Sequence, residues 1–242
     1  MSGSEAIAEA RKQGRAALDE AAGKRLLESF GIPVPRSVMV SDAARATGAL
    51  AGIRPPYAVK VVSPDILHKS DAGGVRLGVR DREEAALTIG EMAQLPGVRQ
   101  ARVDGYLVEE MAPAGQEIVV GGLRDPQFGP LVMVGLGGIF VEVLADVAFR
   151  ICPITRVDAE EMLSELKGAA LLDGARGRKA VSRSAILEVL LKVGGDGGLL
   201  MVHAQDIEEL DINPLIVSES GAVAVDARLI LTQPPMDADG RR

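Results

Sequence analysis

Residues 57–75 read YAVKVVSPDILHKSDAGGV, and the rest of the chain is interpretable once this stretch is. Tyr57 to Val62 is a short apolar run broken only by Lys60, the pattern of a buried strand that carries one cation. A cation held in such a place calls for an anion. Ser63-Pro64-Asp65 ends the strand, because proline cannot donate to a ladder. A polar loop with His68, Lys69, Ser70 and Asp71 follows, closed by Gly73 and Gly74. Adjacent glycines let the backbone aim its amides at a bound group without interference from Cβ, a form suited to phosphate. Each part alone has a plain explanation: a turn, a lysine reaching solvent, an exposed histidine. Strand cation, loop imidazole and glycines within so few residues point together to phosphate handling.

Working outward, Ser4 to Phe30 reads as helix in two pieces divided near Gly14 or Leu18, stopped by Gly31, Pro33 and Pro35. Arg36 to Val40 is a short strand, and Ser41 or Asp42 caps a small helix to about Ala51. Val75 to Val79 alternates as a half-buried strand does. Asp81 with Glu84 forms a capping box for a helix to about Leu95. Strands are expected at Gly105 to Met111, Gln116 to Leu123, Pro130 to Val134 and Phe149 to Ile154, with Gly135 to Gly138 as a second glycine-rich turn. Asp158 with Glu161 caps a further helix, Gly168 to Ser182 is a mobile loop, and Ser182 or Ser184 starts a helix through Leu191. Gly194 to Gly198 interrupts it. Strands and helices do not alternate regularly, so an α+β arrangement of two lobes is favoured over a doubly wound sheet.

Composition narrows the function. Aromatics are 2% of the chain, too few for stacking on nucleic-acid bases. The net charge of −7 opposes binding to polyanions or anionic membranes. The single cysteine, Cys152, cannot form an internal disulfide and reads as an apolar filler, which fits a reducing cytoplasm. No apolar run is long enough to span a membrane.

The other chemistry-bearing stretch is EELDINPL, residues 208–215. On a strand Asp211 and Asn213 project from one face while Ile212 points into the core. The partner strand, AVAVDARLIL, brings Asp226 beside Asn213 if the two pair as a hairpin. Oxygen ligands in that number suit Mg²⁺, which completes its shell with water and nucleotide phosphate. The plain alternative is a solvated hairpin with surface acids.

In this order, KRLLESFGIPVP, AVKVVSPDILHKSDAGGV, LVEEM, GLRDPQFGPLVMVGLGGIFVEV and ELDINPL resemble an ATP-grasp fold. More narrowly they resemble the β subunit of nucleoside diphosphate-forming acyl-CoA synthetases, the ADP-forming acetate–CoA ligase group related to succinyl-CoA synthetase. The likeness covers about residues 18–232. It implies two lobes around a nucleotide cleft: an N-terminal helical arm (1–22), an N-terminal lobe (23–108), a C-terminal lobe (109–233) and a disordered tail (234–242). It further implies that Lys60, with Gly73 and Gly74, contacts nucleotide phosphates. Glu109, Glu110, Met111 and Ala112 would form a hinge holding adenine through backbone groups, with Glu117 on the ribose. Gly137 and Gly138 would line the phosphate side, and Asn213 and Asp226 would ligate Mg²⁺. Asp211 takes the position that steadies a phosphohistidine, and His68 the position that relays phosphoryl to ADP.

The implied reaction is acyl-CoA + ADP + phosphate in exchange with carboxylic acid + CoA + ATP. The implied partner is a CoA-binding α subunit carrying the first phosphohistidine. Neutral imidazole is a competent nucleophile near pH 7, and Lys69 beside it favours the uncharged ring. His203, the other histidine, is expected on a helix surface. The Gly194 to Gly198 run departs from the family's regular helix and is expected to loosen support beneath the DINPL strand. Two other readings compete: an ATP-grasp ligase using an amine or thiol acceptor, in which His68 is never phosphorylated, and a non-catalytic nucleotide-binding regulatory subunit.

Overall fold

The structure, a computed structural model, describes residues 3–66, 69–138, 145–174 and 179–232. The chain divides into two compact units: one of the residues up to Val34 together with those from Pro113 onward, the other of Pro35–Ala112. The boundary expected between 22 and 23 therefore falls later, and the expected arm does not stand apart. The reason is local packing. Helices Gly3–Lys12 (α1) and Glu20–Ser29 (α2) bury Ile7, Leu26 and Leu27 in the same core as Ile118, Leu210 and Leu229. Between them the two-residue strand β1 (Ala17–Leu18) pairs with β11 (Arg228–Leu231) near the far end of the chain. The expected tail lies outside the described residues.

In the middle unit four antiparallel strands lie in the order β2-β5-β3-β4: β2 is Ser37–Val40, β3 Tyr57–Val62, β4 Val75–Val79 and β5 Gly105–Glu110. Tyr57, Val59 and Val61 pack in one core with Ala46 and Leu50 beside helix Ala43–Ala49 and with Ile89 and Met92 of helix Arg82–Met92. Asp81 caps the second helix by accepting from the Glu84 amide at 2.8 Å, but Glu84 reaches back to the Arg80 amide and not to Asp81. That helix stops at Met92, short of Leu95, whose extended backbone is the one the following Pro96 favours.

The other unit is built on a larger antiparallel sheet, β1-β11-β9-β6-β7-β8, with β10 also pairing β9. Here β6 is Gln116–Asp125, β7 Gly129–Leu136, β8 Val147–Ile151, β9 Ile207–Ser218 and β10 Gly221–Ala224. One face carries Ile118, Val120, Val132, Val134, Leu210 and Ile212 into the core with the helices. Strand β7 absorbs Gly135, so the expected second turn begins later. Strand β8 starts and ends earlier than expected, because Pro153 cannot continue a ladder. Thr155 caps helix Arg156–Glu165 in a reciprocal box with Asp158, one S/T-x-x-D frame ahead of the expected Asp158 and Glu161. Ser182 caps helix Arg183–Gly194 as expected.

The glycine run opens on the last residue of that helix, which is closely packed. A Cβ on Gly194 would lie 2.9 Å from Val132 and 3.0 Å from Cys152 Sγ, so glycine is what permits the close crossing. Pro33 and Pro113 line one cavity of about 460 Å³ with residues of that helix and of β9 and β10. Cys152 is buried, and burial pushes its thiol from 9.0 up to about 12. The folded thiol keeps its proton where the unfolded one loses it, so stability falls as pH rises from about 9 toward 12. Alkylation of Cys152 at pH 8 is expected to be at least tenfold slower in native protein than in denaturant, measurable by mass spectrometry.

Candidate functional site

Lys60 sits on β3 with Ala58 and Val62, on the face opposite Tyr57, Val59 and Val61. It is buried, 6% exposed, and its Nζ lies 2.8 Å from a carboxylate oxygen of Glu109, itself 1% exposed. The register explains the pairing. Ala58 faces Glu109 and Lys60 faces Leu107, so Lys60 and Glu109 are diagonal neighbours on one face. The anion that Lys60 called for is in the first instance a residue of this chain.

Two expectations for this unit need correction. The Gly73 amide donates to the Ser70 carbonyl at 3.1 Å and the Gly74 amide to that of Lys69 at 2.7 Å. Both amides are thus spent inside the loop and offer no cradle for an anion. Gly74 is required because a Cβ there would lie 2.4 Å from Val61, and Gly73 because its φ is +70°. In the expected hinge, Glu110 accepts from the Arg54 amide at 3.0 Å, and its own amide is bonded to the Arg36 carbonyl. The Met111 amide donates to Pro56. These amides are not available to adenine, which leaves the carbonyls of the segment and the amide of Ala112. His68 lies outside the described residues.

In the other unit Asp211 and Asn213 stand two apart on β9, and Asp226 lies just before β11. Ala224 pairs with Leu215 and Arg228 with Asp211, the same register on either side of residues 225–227. The Val225 amide donates to the Pro214 carbonyl at 3.1 Å within that register. The segment between β10 and β11 leaves the ladder, and the Ala227 amide turns onto the Asp226 carboxylate at 2.8 Å. Asp211 and Asn213 therefore share the sheet face opposite the core, and Asp226 is near enough for its charge to act on Asp211. Burial, then the carboxylates of Glu209 and Asp226, push Asp211 above the usual aspartate range, and Arg228 pulls it back. Such a carboxylate is a destabilised anion in the protein by itself. Asp211→Asn is expected to raise stability by on the order of 1 kcal/mol or less after solvent screening, read as about 2 °C in melting temperature.

At the other end of β6, Glu117 and the second glycine pair also meet. The Gly137 amide donates to the Glu117 carbonyl at 2.8 Å, and a Cβ on Gly137 would lie 2.8 Å from that of Glu117. A Cβ on Gly138 would come within 3.7 Å of the Glu117 carboxylate. His203 is not a surface residue: it is 5% exposed, its Nδ1 lies 3.3 Å from Asp206, and its ring meets Phe30 edge-on at 5.9 Å.

Asp146, Glu209 and Arg228 escaped sequence reasoning. Asp146 is buried and accepts from the Lys167 and Gly168 amides at 2.8 and 2.9 Å, pinning the end of helix Arg156–Glu165. Nothing local in its sequence marks it. Glu209 and Arg228 were readable by the same two-residue spacing that singled out Asp211 and Asp226.

The ATP-grasp domain family matches residues 9–231. The β subunit of ADP-forming acetate–CoA ligase I from Pyrococcus furiosus is 43% identical over 231 residues, covering 94% of this chain and 97% of that one. The single-chain ADP-forming acetate–CoA ligase I of Archaeoglobus fulgidus is also 43% identical, over 214 residues, but this chain spans only 30% of its length. Among solved structures, the dinucleotide-forming acetyl-coenzyme A synthetase 1 of Ca. Korarchaeum cryptofilum, in complex with coenzyme A and Ca-AMPCP, superposes with a TM-score of 0.88. It is 40% identical, with 94% of this chain and 99% of that one covered. This chain belongs to the ATP-grasp domain family, in the branch whose close relatives are the β subunits of ADP-forming acetate–CoA ligases.

Proposed function

We propose that the chain is the nucleotide-binding β subunit of an ADP-forming acyl-CoA synthetase, working with a CoA-binding α subunit that carries the first phosphohistidine. The complex exchanges acyl-CoA, ADP and phosphate for carboxylic acid, CoA and ATP. What carries this reading is Asp211 and Asn213 on one face of β9 with Asp226 leading into β11, in a chain alignable with nearly the whole of a separate β subunit.

The oxygen donors of Asn213 and Asp226 fit Mg²⁺, and the raised Asp211 beside them is consistent with a face suited to a cation. Bound there with the nucleotide, the ion would offset charge on the phosphate oxygens. The residues of the chain do the rest. The imidazole of His68 attacks the γ-phosphorus of ATP, the P–N bond forms as the bond to the ADP oxygen breaks, and ADP is the leaving group. In the synthetic direction the same bonds are exchanged in reverse. Asp211 takes the position that steadies a phosphohistidine. Lys60, kept in place by Glu109, meets phosphate oxygens, and Glu117 takes the ribose hydroxyls.

The test is incubation of the chain with γ-labelled Mg-ATP, with and without its CoA-binding partner. Acid-labile, alkali-stable label is expected on this chain. It should be discharged by ADP, and by the partner when CoA and acid are supplied. Nucleotide binding without label, even beside the partner, would identify a regulatory subunit. Transfer to a carboxylic acid by this chain alone would identify an amine or thiol ligase.

A further inference from the structure

The face of β9 that carries Asp211 and Asn213 also carries Glu209, and across from it β11 contributes Arg228 and Ile230. Arg228 is directly opposite Asp211, and Ile230 opposite Glu209. On the other flank of β9, Gly121 of β6 is Asp211's partner and Leu123 that of Glu209. The ribbon is thus acidic, except that Arg228 is the one cationic residue in β9 and β11.

Two observations set Arg228 apart. It is exposed, while its neighbours Ala227 and Leu229 are buried. And although it stands across from Asp211, its side chain makes no hydrogen bond or ion pair with any described residue, so its donors are not committed to that carboxylate. An arginine needed only to neutralise Asp211 would be drawn onto it, since the bidentate pair is the strongest such contact. An arginine needed only for solubility has no reason to occupy the β11 position facing the acid. A planar fork of donors held over a carboxylate-rich face, next to residues suited to a metal, matches phosphate oxygens. It also lowers the repulsion that Glu209 and Asp211 would otherwise exert on an arriving phosphoryl group.

We propose that Arg228 binds the phosphoryl group in transfer, the γ-phosphate of the nucleoside triphosphate, and so makes the ribbon discriminate triphosphate from diphosphate. This rests on the nucleotide reading given above. Because ADP lacks the group that Arg228 contacts, the residue favours the triphosphate and the transition state while leaving diphosphate affinity nearly alone.

The experiment uses the chain assembled with its CoA-binding partner and compares wild type, Arg228→Met, Arg228→Lys and Asn213→Ala. Binding of Mg-ADP and of a Mg-bound β,γ-methylene triphosphate analogue is measured by calorimetry, and phosphoryl labelling from Mg-ATP by rapid quench. Arg228→Met is expected to weaken the triphosphate analogue about tenfold and slow labelling at least as much, with Mg-ADP changed by less than about threefold. Arg228→Lys should recover part of the loss, as a point charge without the fork. Equal weakening of both nucleotides, or no change in either, overturns the proposal. Asn213→Ala separates the two levels. If it leaves Mg-ADP binding intact, the nucleotide reading of this ribbon fails. If it abolishes binding while Arg228→Met changes nothing, only the role of Arg228 fails.

Discussion

Alanine in place of His68 is expected to lower acid-labile phosphate on this chain by more than about 10³-fold, the scale seen when a covalent nucleophile is removed. Mg-nucleotide binding should change little, because the imidazole acts on the γ-phosphorus and not on the base or ribose. The structure sharpens this result by disposing of the competitor. His203 is the only other histidine in the chain. It is 5% exposed, its Nδ1 is on Asp206 and its ring is packed on Phe30. Asp206 is in turn held by Arg11 at 2.8 Å. A ring so enclosed cannot present a nitrogen in line with a bound triphosphate. Label surviving in His68→Ala, mapped by peptide mass spectrometry, would therefore remove the relay from this chain altogether. Label lost together with nucleotide affinity would show His68 to be a binding residue.

Glu109→Ala is expected to destabilise the middle unit by about 3 kcal/mol, the low end for removing one member of a buried ion pair. The substitution takes away a carboxylate 2.8 Å from the Lys60 ammonium and leaves a cation in a strand whose six residues are all buried. A fall of about 6 °C or more in the unfolding midpoint should follow. Chemical denaturation of Glu109→Leu with Lys60→Met isolates the cause. Two apolar side chains that pack across β3 and β5 should restore most of the stability, because an intact buried pair is worth little over a hydrophobic one. The same double variant should lose affinity for the nucleotide phosphates. Full stability with full phosphate affinity would mean that Lys60 has only a structural role. If Glu109→Ala melts like wild type, the pair is not the anchor described.

How much of this was readable in advance depended on how local the cause was. Strand β3 announced itself by its apolar run, and the pairing of β9 with the strands after it followed from hairpin arithmetic, since one register sum holds in β10 and in the first residues of β11. The same arithmetic would have found Glu209 and Arg228. The partner of Lys60 was not readable, because it comes from β5 and nothing in either strand states their mutual register. Nor was the direction of the Gly73 and Gly74 amides, which is set by Val61 pressing on one glycine and by a positive φ at the other. The capping frame at Thr155 was misassigned because two overlapping frames each supply an acid at the third position, and only backbone geometry chooses. The allegiance of the first thirty residues was hidden for a similar reason: two residues of β1 pair with a strand at the opposite end of the chain.

That last pairing has a consequence for how the protein comes into being. Residues up to Val34 and from Pro113 onward form one body, and Pro33 and Pro113 border the same cavity, so the middle unit is an insertion in the chain of the other. On the ribosome the inserted body is complete once residue 112 has emerged. The other one must wait for β11, with helices α1 and α2 exposed until residues 228–231 are made. Strand β11 thus serves as the latch that retains a segment made some two hundred residues earlier, and it also carries Arg228 to its station. A nascent chain cannot acquire its full acidic ribbon before that latch has been made.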